Sequence, residues 1–116
     1  MPAAKTTPKE RNYEYEQQLT NAINHRHRIR FRYQYDVHYR VFDPYILFKD
    51  EKGRYIIGGI RIKDESKPIK KPAACKYEVG LITDIQMSEN NFVADPRFKS
   101  VHSKYAALNV ICSIDR

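Results

Sequence analysis

The chain has 116 residues, 41% of them hydrophobic. That suits one domain around one modest core and is too apolar for a disordered chain. No apolar run approaches the roughly 20 residues that cross a bilayer, and Met1 to Arg11 lacks the apolar stretch of a secretion signal. Lys and Arg number 21 against 14 Asp and Glu, a formal net charge of +7, which raises the expectation of a polyanionic partner without identifying one. Two cysteines, Cys75 and Cys112, are too few for a disulfide framework or a four-thiolate zinc site. The expectation is a cytoplasmic protein with reduced thiols.

Residues 1–11 read as a disordered tail, with Pro2 and Pro8 and no periodicity, and a single domain is expected over 12–116. Asn12 is a candidate N-cap. Tyr15, Leu19, Ala22 and Ile23 then recur on one face of a helix. Glu14 and Glu16 near its start and His25 and Arg26 at its end suit the helix dipole.

The period then becomes two. From Arg28 to Tyr35 apolar and polar residues alternate, which predicts a half-buried strand with Ile29, Phe31 and Tyr33 facing in. Tyr39 to Lys49 reads as a second strand, where Pro44 implies an edge position or a bulge. After the turn Lys49 to Gly53, Arg54 to Lys63 is a third strand, bent at Gly58-Gly59. A lysine-rich loop, Asp64 to Ala74, precedes a fourth strand from Lys76 to Ile85, running on towards Met87. Asn90 and Asn91 read as turn formers, Asp95-Pro96 as a break, and Tyr105 to Ile114 as a last strand. One helix and about five short, bent strands predict a mainly β, α+β fold, a small barrel with an N-terminal helix.

An ordered set of residues also resembles a known family. Ile29, Phe31 and Tyr33 follow the helix. Arg40 precedes Pro44-Tyr45 and the aliphatic Ile46-Leu47. Gly53 leads into Arg54-Tyr55-Ile56, then Ile57-Gly58. Lys76-Tyr77 opens a strand continuing through Ile82 and Ile85 towards Phe92. From about Leu19 to Phe92 this pattern resembles the WYL domain, a bacterial module. The resemblance implies a strongly bent Sm-like, SH3-type barrel. It also implies ligand sensing, including of single-stranded nucleic acid, in transcription regulators or nucleic-acid defence, with Arg40, Tyr55 and Lys76 as ligand contacts. One helix leaves no room for a DNA-reading helix-turn-helix, so the resemblance is to a free-standing or excised module.

Two constellations carry the functional expectation. Arg28, Arg30 and Arg32 lie on alternate positions, roughly 6.5 Å apart along one strand face. Guanidinium forks suit phosphate. The same stripe also reads as a solvated outer face, or as charge protecting an edge strand. The second set is Tyr33, Arg40, Arg54, Tyr55, Arg61 and Lys76, in which cations hold phosphates and tyrosines stack on bases. Its alternatives are core packing for the tyrosines and an ion pair of Arg40 with Asp43 or Glu78.

His25, His27, His38 and His102 have no metal-site spacing. Cys75 lies near lysines but has no readable catalytic partners. No enzyme activity, metal or cofactor is expected. The leading expectation is a non-enzymatic module binding a single-stranded nucleic acid or oligonucleotide in a basic, tyrosine-lined groove. The alternative is a protein-interaction or dimerisation module of a bacterial regulator or defence system. A homodimer is expected through sheet edges and the apolar run Leu108 to Ile114.

Overall fold

In the computed structural model, which describes residues 10–67, 71–96 and 109–114, Asn12 caps the helix it precedes. Its Oδ1 accepts the backbone N–H of Tyr15 at 3.0 Å, and α1 runs Tyr13–His25. The cap satisfies a donor the first helical turn leaves open. Arg26 ends the helix in the left-handed conformation, φ 52°, its N–H reaching the carbonyls of Ala22 and Ile23. The buried face is Glu16, Leu19, Ala22 and Ile23. Glu16 is tolerated there because Arg11 forks onto it, with Nε and Nη2 each 2.9 Å from a carboxylate oxygen. Arg11, assigned to the tail by sequence, is therefore tied to the helix. Residues 1–9 lie outside the described residues.

The helix packs on an antiparallel sheet of β1 (His27–Tyr33), β2 (Arg40–Lys49), β3 (Tyr55–Asp64), β4 (Ala73–Glu78), β5 (Ile82–Asn91) and β6 (Asn109–Ser113). The strand order is β4-β3-β2-β1-β5, with β6 also paired to β2. β2 holds the sheet together. It carries β3 along one side; on the other, β1 pairs with Arg40 to Phe42 and β6 with Ile46 to Lys49. That position explains why Phe42 through Phe48 are all buried. Pro44 falls in the gap between the two partners, where its missing N–H breaks no ladder. A register shift between Pro44 and Ile46 makes the bulge. The bulge expectation holds and the edge expectation is corrected, since β2 is central. Gly59 sits opposite Pro44. An added Cβ there would lie 2.1 Å from the Asp43 carbonyl oxygen and 2.8 Å from the Phe42 ring, so only glycine permits this approach.

Other boundaries also differ from expectation. β1 stops at Tyr33, because Gln34 turns at φ 55° and Tyr35 is fully exposed. The expected strand Lys76 to Ile85 is two strands, β4 and β5, separated by the 3₁₀ turn Val79–Leu81. Asn90 and Asn91 lie inside β5 rather than in a turn. The described sheet therefore has six strands. Of the expected last strand, 109–113 is present as β6, and 105–108 lie outside the described residues.

One apolar core joins Leu19 and Ile23 of α1 to Ile29, Phe31, Phe42, Tyr45, Leu47 and Ile57. A smaller cluster of Ile46, Phe48 and Ile56 lies apart from it, with Val110 packed against it. Among the described residues no helix is long and apolar enough to cross a membrane.

Candidate functional site

The arginines of β1 do share a face, but neighbouring elements occupy them. Arg28 Nε and Nη2 fork onto the buried Asp43 carboxylate at 2.8 and 3.2 Å. Those bonds raise the Arg28 pKa against an opposing effect of burial. Arg30 forks onto Glu65 at 2.9 and 3.2 Å, donates to Gln86 at 3.0 Å, and lies over the Tyr39 ring at 4.1 Å. Arg32 stands 5.2 Å from the centroid of that ring, with its Nε buried and unpartnered. The Tyr39 hydroxyl donates to Asp84, which raises the phenol pKa. The edge-protection reading of the stripe is corrected, because β1 is paired on both sides.

Two further arginines also keep open donors. Arg40 sits directly across from Phe31, and Arg61 from Phe42. Paired residues point to the same face of a sheet, so both arginines sit on the core side, opposite the β1 stripe. There Phe31, Phe42, Tyr33 and Tyr77 form an edge-to-face ring cluster with centroids 4.9 to 6.4 Å apart. The Arg40 guanidinium lies 5.8 Å from both tyrosine rings. Its Nη2 pairs with Asp36 at 3.2 Å, so the expected pairing with Asp43 or Glu78 is replaced by a closer partner in the preceding loop. Arg40 Nη1 and Arg61 Nε are buried and have no hydrogen-bond partner among the described residues. Burial, reinforced by the neighbouring Cys75 thiol, pushes the Tyr77 phenol up to about 12, while Arg40 and Arg61 act to lower it. Burial also raises Tyr33, whose hydroxyl accepts the Glu78 N–H at 3.0 Å and feels both Arg40 and Arg54.

Tyr33 and Tyr77 are also one wall of a cleft of about 440 Å³. Phe48, Ile56 and Leu81 supply the rest of its apolar lining. Its ionisable groups are Asp50, Glu51 and Glu78 against Lys52, Arg54 and Lys76, so they cancel in formal charge. Arg54 Nε is 2.7 Å from Asp50 Oδ2. Burial would lift the Asp50 pKa, but hydrogen bonds from the Arg54 backbone and side chain outweigh it and lower the carboxyl.

Of the sequence-derived candidates, Tyr33, Arg54 and Lys76 meet at this cleft. Arg40, 5.8 Å from the Tyr33 and Tyr77 rings, and Arg61 do not line it. Nor do Arg28, Arg30, Arg32 and Tyr55. Tyr55 is covered by Arg11, whose guanidinium lies 4.0 Å from the ring centroid. Sequence reasoning missed Tyr77 as a site residue, although it adjoins Lys76. It also missed Asp36, Glu65 and Gln86, which decide which arginines are engaged.

The charge surplus has a location as well. Seven of the basic residues (Lys5, Lys9, Lys70, Arg97, Lys99, Lys104 and Arg116) but only one acid, Asp115, lie outside the described residues. The described fold is close to charge balance. Within it no group of three or more His, Cys, Asp or Glu gathers as a metal site; His102 lies outside the described residues. Comparison of the chain with protein-family models, with curated proteins and with solved structures finds no match.

Proposed function

We propose that this chain is a non-enzymatic, WYL-like ligand-sensing module that binds a single-stranded nucleic acid or oligonucleotide. The observation that carries the reading is the buried guanidinium nitrogen of Arg40, unpartnered among the described residues, beside the Tyr33 and Tyr77 rings, with a second such nitrogen on Arg61, whose charge also acts on Tyr77. Buried donors are rarely left without partners, and an open one is a reason to look for a ligand. Guanidinium groups beside aromatic rings suit a phosphate next to a base. The adjoining cleft supplies an apolar, partly aromatic wall. In this reading the bent sheet is an Sm-like, SH3-type barrel. β4 and β5, the ends of the strand order, are brought near each other by the three-residue turn between them. The resemblance to the WYL domain extends the proposal to a cytoplasmic role in transcription regulation or nucleic-acid defence.

A second reading, a protein-interaction or homodimerisation module, is favoured by the outer edges of β4 and β5, which carry no ladder partner among the described residues. It also draws on the exposed Met87 and Ile111. The two readings separate in one experiment. Fluorescence anisotropy with a labelled single-stranded oligonucleotide is run at several salt concentrations on wild type and Arg40→Ala. The nucleic-acid reading expects binding that weakens with salt. It also expects Arg40→Ala to lose about 1.5–3 kcal/mol, the range for hydrogen bonds to charged groups. Absence of binding at low salt, or equal binding by both proteins, refutes it and favours the protein-interaction module.

A further inference from the structure

We infer that the cleft takes one uncharged heterocyclic base, carried by a free nucleoside or turned out of a strand, and that phosphate stays outside it. The inference rests on the nucleic-acid reading and narrows it. The described walls of the cleft carry three acids, Asp50, Glu51 and Glu78, against three bases, Lys52, Arg54 and Lys76. Arg54 is held in place. Its Nε lies 2.7 Å from Asp50, whose carboxylate also accepts the backbone N–H groups of Lys52 and Arg54. A phosphate entering the cleft would meet Glu51 and Glu78 as well as Lys52 and Lys76, and like charges repel more strongly where water is partly excluded. An uncharged ligand avoids that repulsion and the cost of taking an ion out of water.

The lining selects the rest of the ligand's chemistry. Phe48, Ile56 and Leu81 give an apolar surface, and Tyr33 and Tyr77 a wall of two rings with centroids 5.0 Å apart and planes at 69°. The volume, about 440 Å³, falls in the range of small-molecule sites, roughly 300–1,000 Å³. Tyr33 is fixed in this wall, because its hydroxyl accepts the Glu78 N–H at 3.0 Å. A phenol oxygen that accepts a hydrogen bond still has its own hydrogen to give, and that hydrogen finds no acceptor among the described residues. Burial raises the Tyr33 pKa, so the hydrogen stays on the oxygen at neutral pH. The cleft thus holds a positioned donor within an apolar wall, with carboxylates and cations around it. A base is flat and apolar on its faces, and its edge carries both acceptors and N–H donors. A sugar has no flat apolar face, and a hydrocarbon would leave the Tyr33 donor unmet.

A free nucleoside and a base in a strand present the same chemistry, so the test separates them. The whole isotope-labelled chain is titrated, with amide chemical shifts as the readout, against adenosine, guanosine, cytidine and uridine, against their 5′-monophosphates, and against a single-stranded RNA decamer containing all of these bases. At least one nucleoside should move the amides of Arg54, Ile56, Tyr77 and Glu78 and leave those of Arg28 to Arg32 in place. Its monophosphate should bind within about twofold of it, because the added charge meets no net opposite charge. Tyr33→Phe should weaken both by about 2–10-fold, the span of one hydrogen bond. Leu81→Ala, which trims the wall without removing a hydrogen bond, should weaken both by at least about threefold. Movement of the cleft amides by nucleoside and decamer alike assigns a base of a strand; movement by nucleosides alone assigns a free nucleoside and overturns only the strand. A monophosphate at least about tenfold tighter than its nucleoside overturns the inference. So does a decamer that binds while every nucleoside leaves the cleft amides unmoved. Both results leave nucleic-acid binding intact. No shift with any ligand up to about 10 mM, weaker than the millimolar end of the affinity scale, overturns both.

Discussion

Replacing Arg28 with methionine should destabilise the fold, although Arg28 reads in sequence as one member of an exposed cationic stripe. The substitution keeps the unbranched stem out to about the position of Nε and removes two hydrogen bonds, of 2.8 and 3.2 Å, from Asp43. The Asp43 side chain is only 5% exposed, so its carboxylate is left buried beside Pro44 without that partner. Breaking a buried pair costs about 3–5 kcal/mol. The Arg28 side chain is 28% exposed, so water reaches part of the site and the cost should fall to about 2–3 kcal/mol. For a domain of this size that lowers the melting temperature by about 8–12 °C, at roughly 4 °C per kcal/mol. Arg30→Met is the control. Its pair with Glu65 has side chains 39% and 32% exposed, and such a pair contributes at most about 1 kcal/mol. Thermal and urea denaturation followed by circular dichroism would measure both. Adding Asp43→Asn to Arg28→Met removes the stranded charge and should recover part of the loss. Equal, small losses for Arg28→Met and Arg30→Met, or no recovery with Asp43→Asn, would refute the reasoning.

Gly59→Ala places a Cβ against backbone that cannot yield and should cost about 3 kcal/mol or more. Gly58→Ala meets only side chains, the Ile46 Cγ2 at 3.1 Å and the Lys76 Cγ at 3.8 Å, and should stay within about 1 kcal/mol, close to what overpacking costs at a yielding side chain; denaturant midpoints of the two variants would show the contrast. The Tyr77 phenol, raised by burial from 10.0 to about 12, stabilises the fold through its neutral form. That contribution is complete below pH 10 and is lost as the pH climbs through about 12. Ultraviolet titration should show a late-ionising tyrosine that disappears in Tyr77→Phe.

Local signals made much of the fold legible. The N-cap, the helical spacing of Leu19, Ala22 and Ile23, and the alternation of Ile29 and Phe31 each act within a few residues, and each appears where expected. Pro44, read as an edge or a bulge, marks a bulge; Gly58-Gly59, read as a bend, is where β3 passes close to β2 at Gly59. The break between β4 and β5 was missed because the apolar pattern runs on through Tyr77, Val79, Leu81 and Ile82. Gly80 was the only local sign of the turn, and it was not read. The site was less legible, because its partners are distant in the chain. Asp43 lies 15 residues from Arg28, Glu65 lies 35 from Arg30, and Gln86 lies 56 from it. Nothing near β1 announces them.

The difference between the two sets of arginines comes from strand register. A charge pattern along one strand describes only half of a sheet face; the neighbouring strands supply the rest. Across from Arg30 and Arg32, β5 places Gln86 and Asp84. Asp43 reaches Arg28 from β2, and Glu65 reaches Arg30 from just beyond β3, so most of the β1 stripe is answered by acceptors of the same chain. Arg61 meets no such answer. Its register partners are Phe42 on β2 and Ala73 on β4, neither able to accept a hydrogen bond through its side chain. Arg40 has Phe31 on one side and Asp64 on the other, and the Asp64 carboxylate already accepts the N–H and hydroxyl of Ser66. Arg40 Nη1 and Arg61 Nε thereby keep open donors on the core side of the sheet, as Arg32 Nε does on the other face. A phosphate arriving at Arg61 replaces no ion pair among the described residues. A phosphate arriving at Arg28 would have to displace Asp43 and leave that carboxylate buried without its partner.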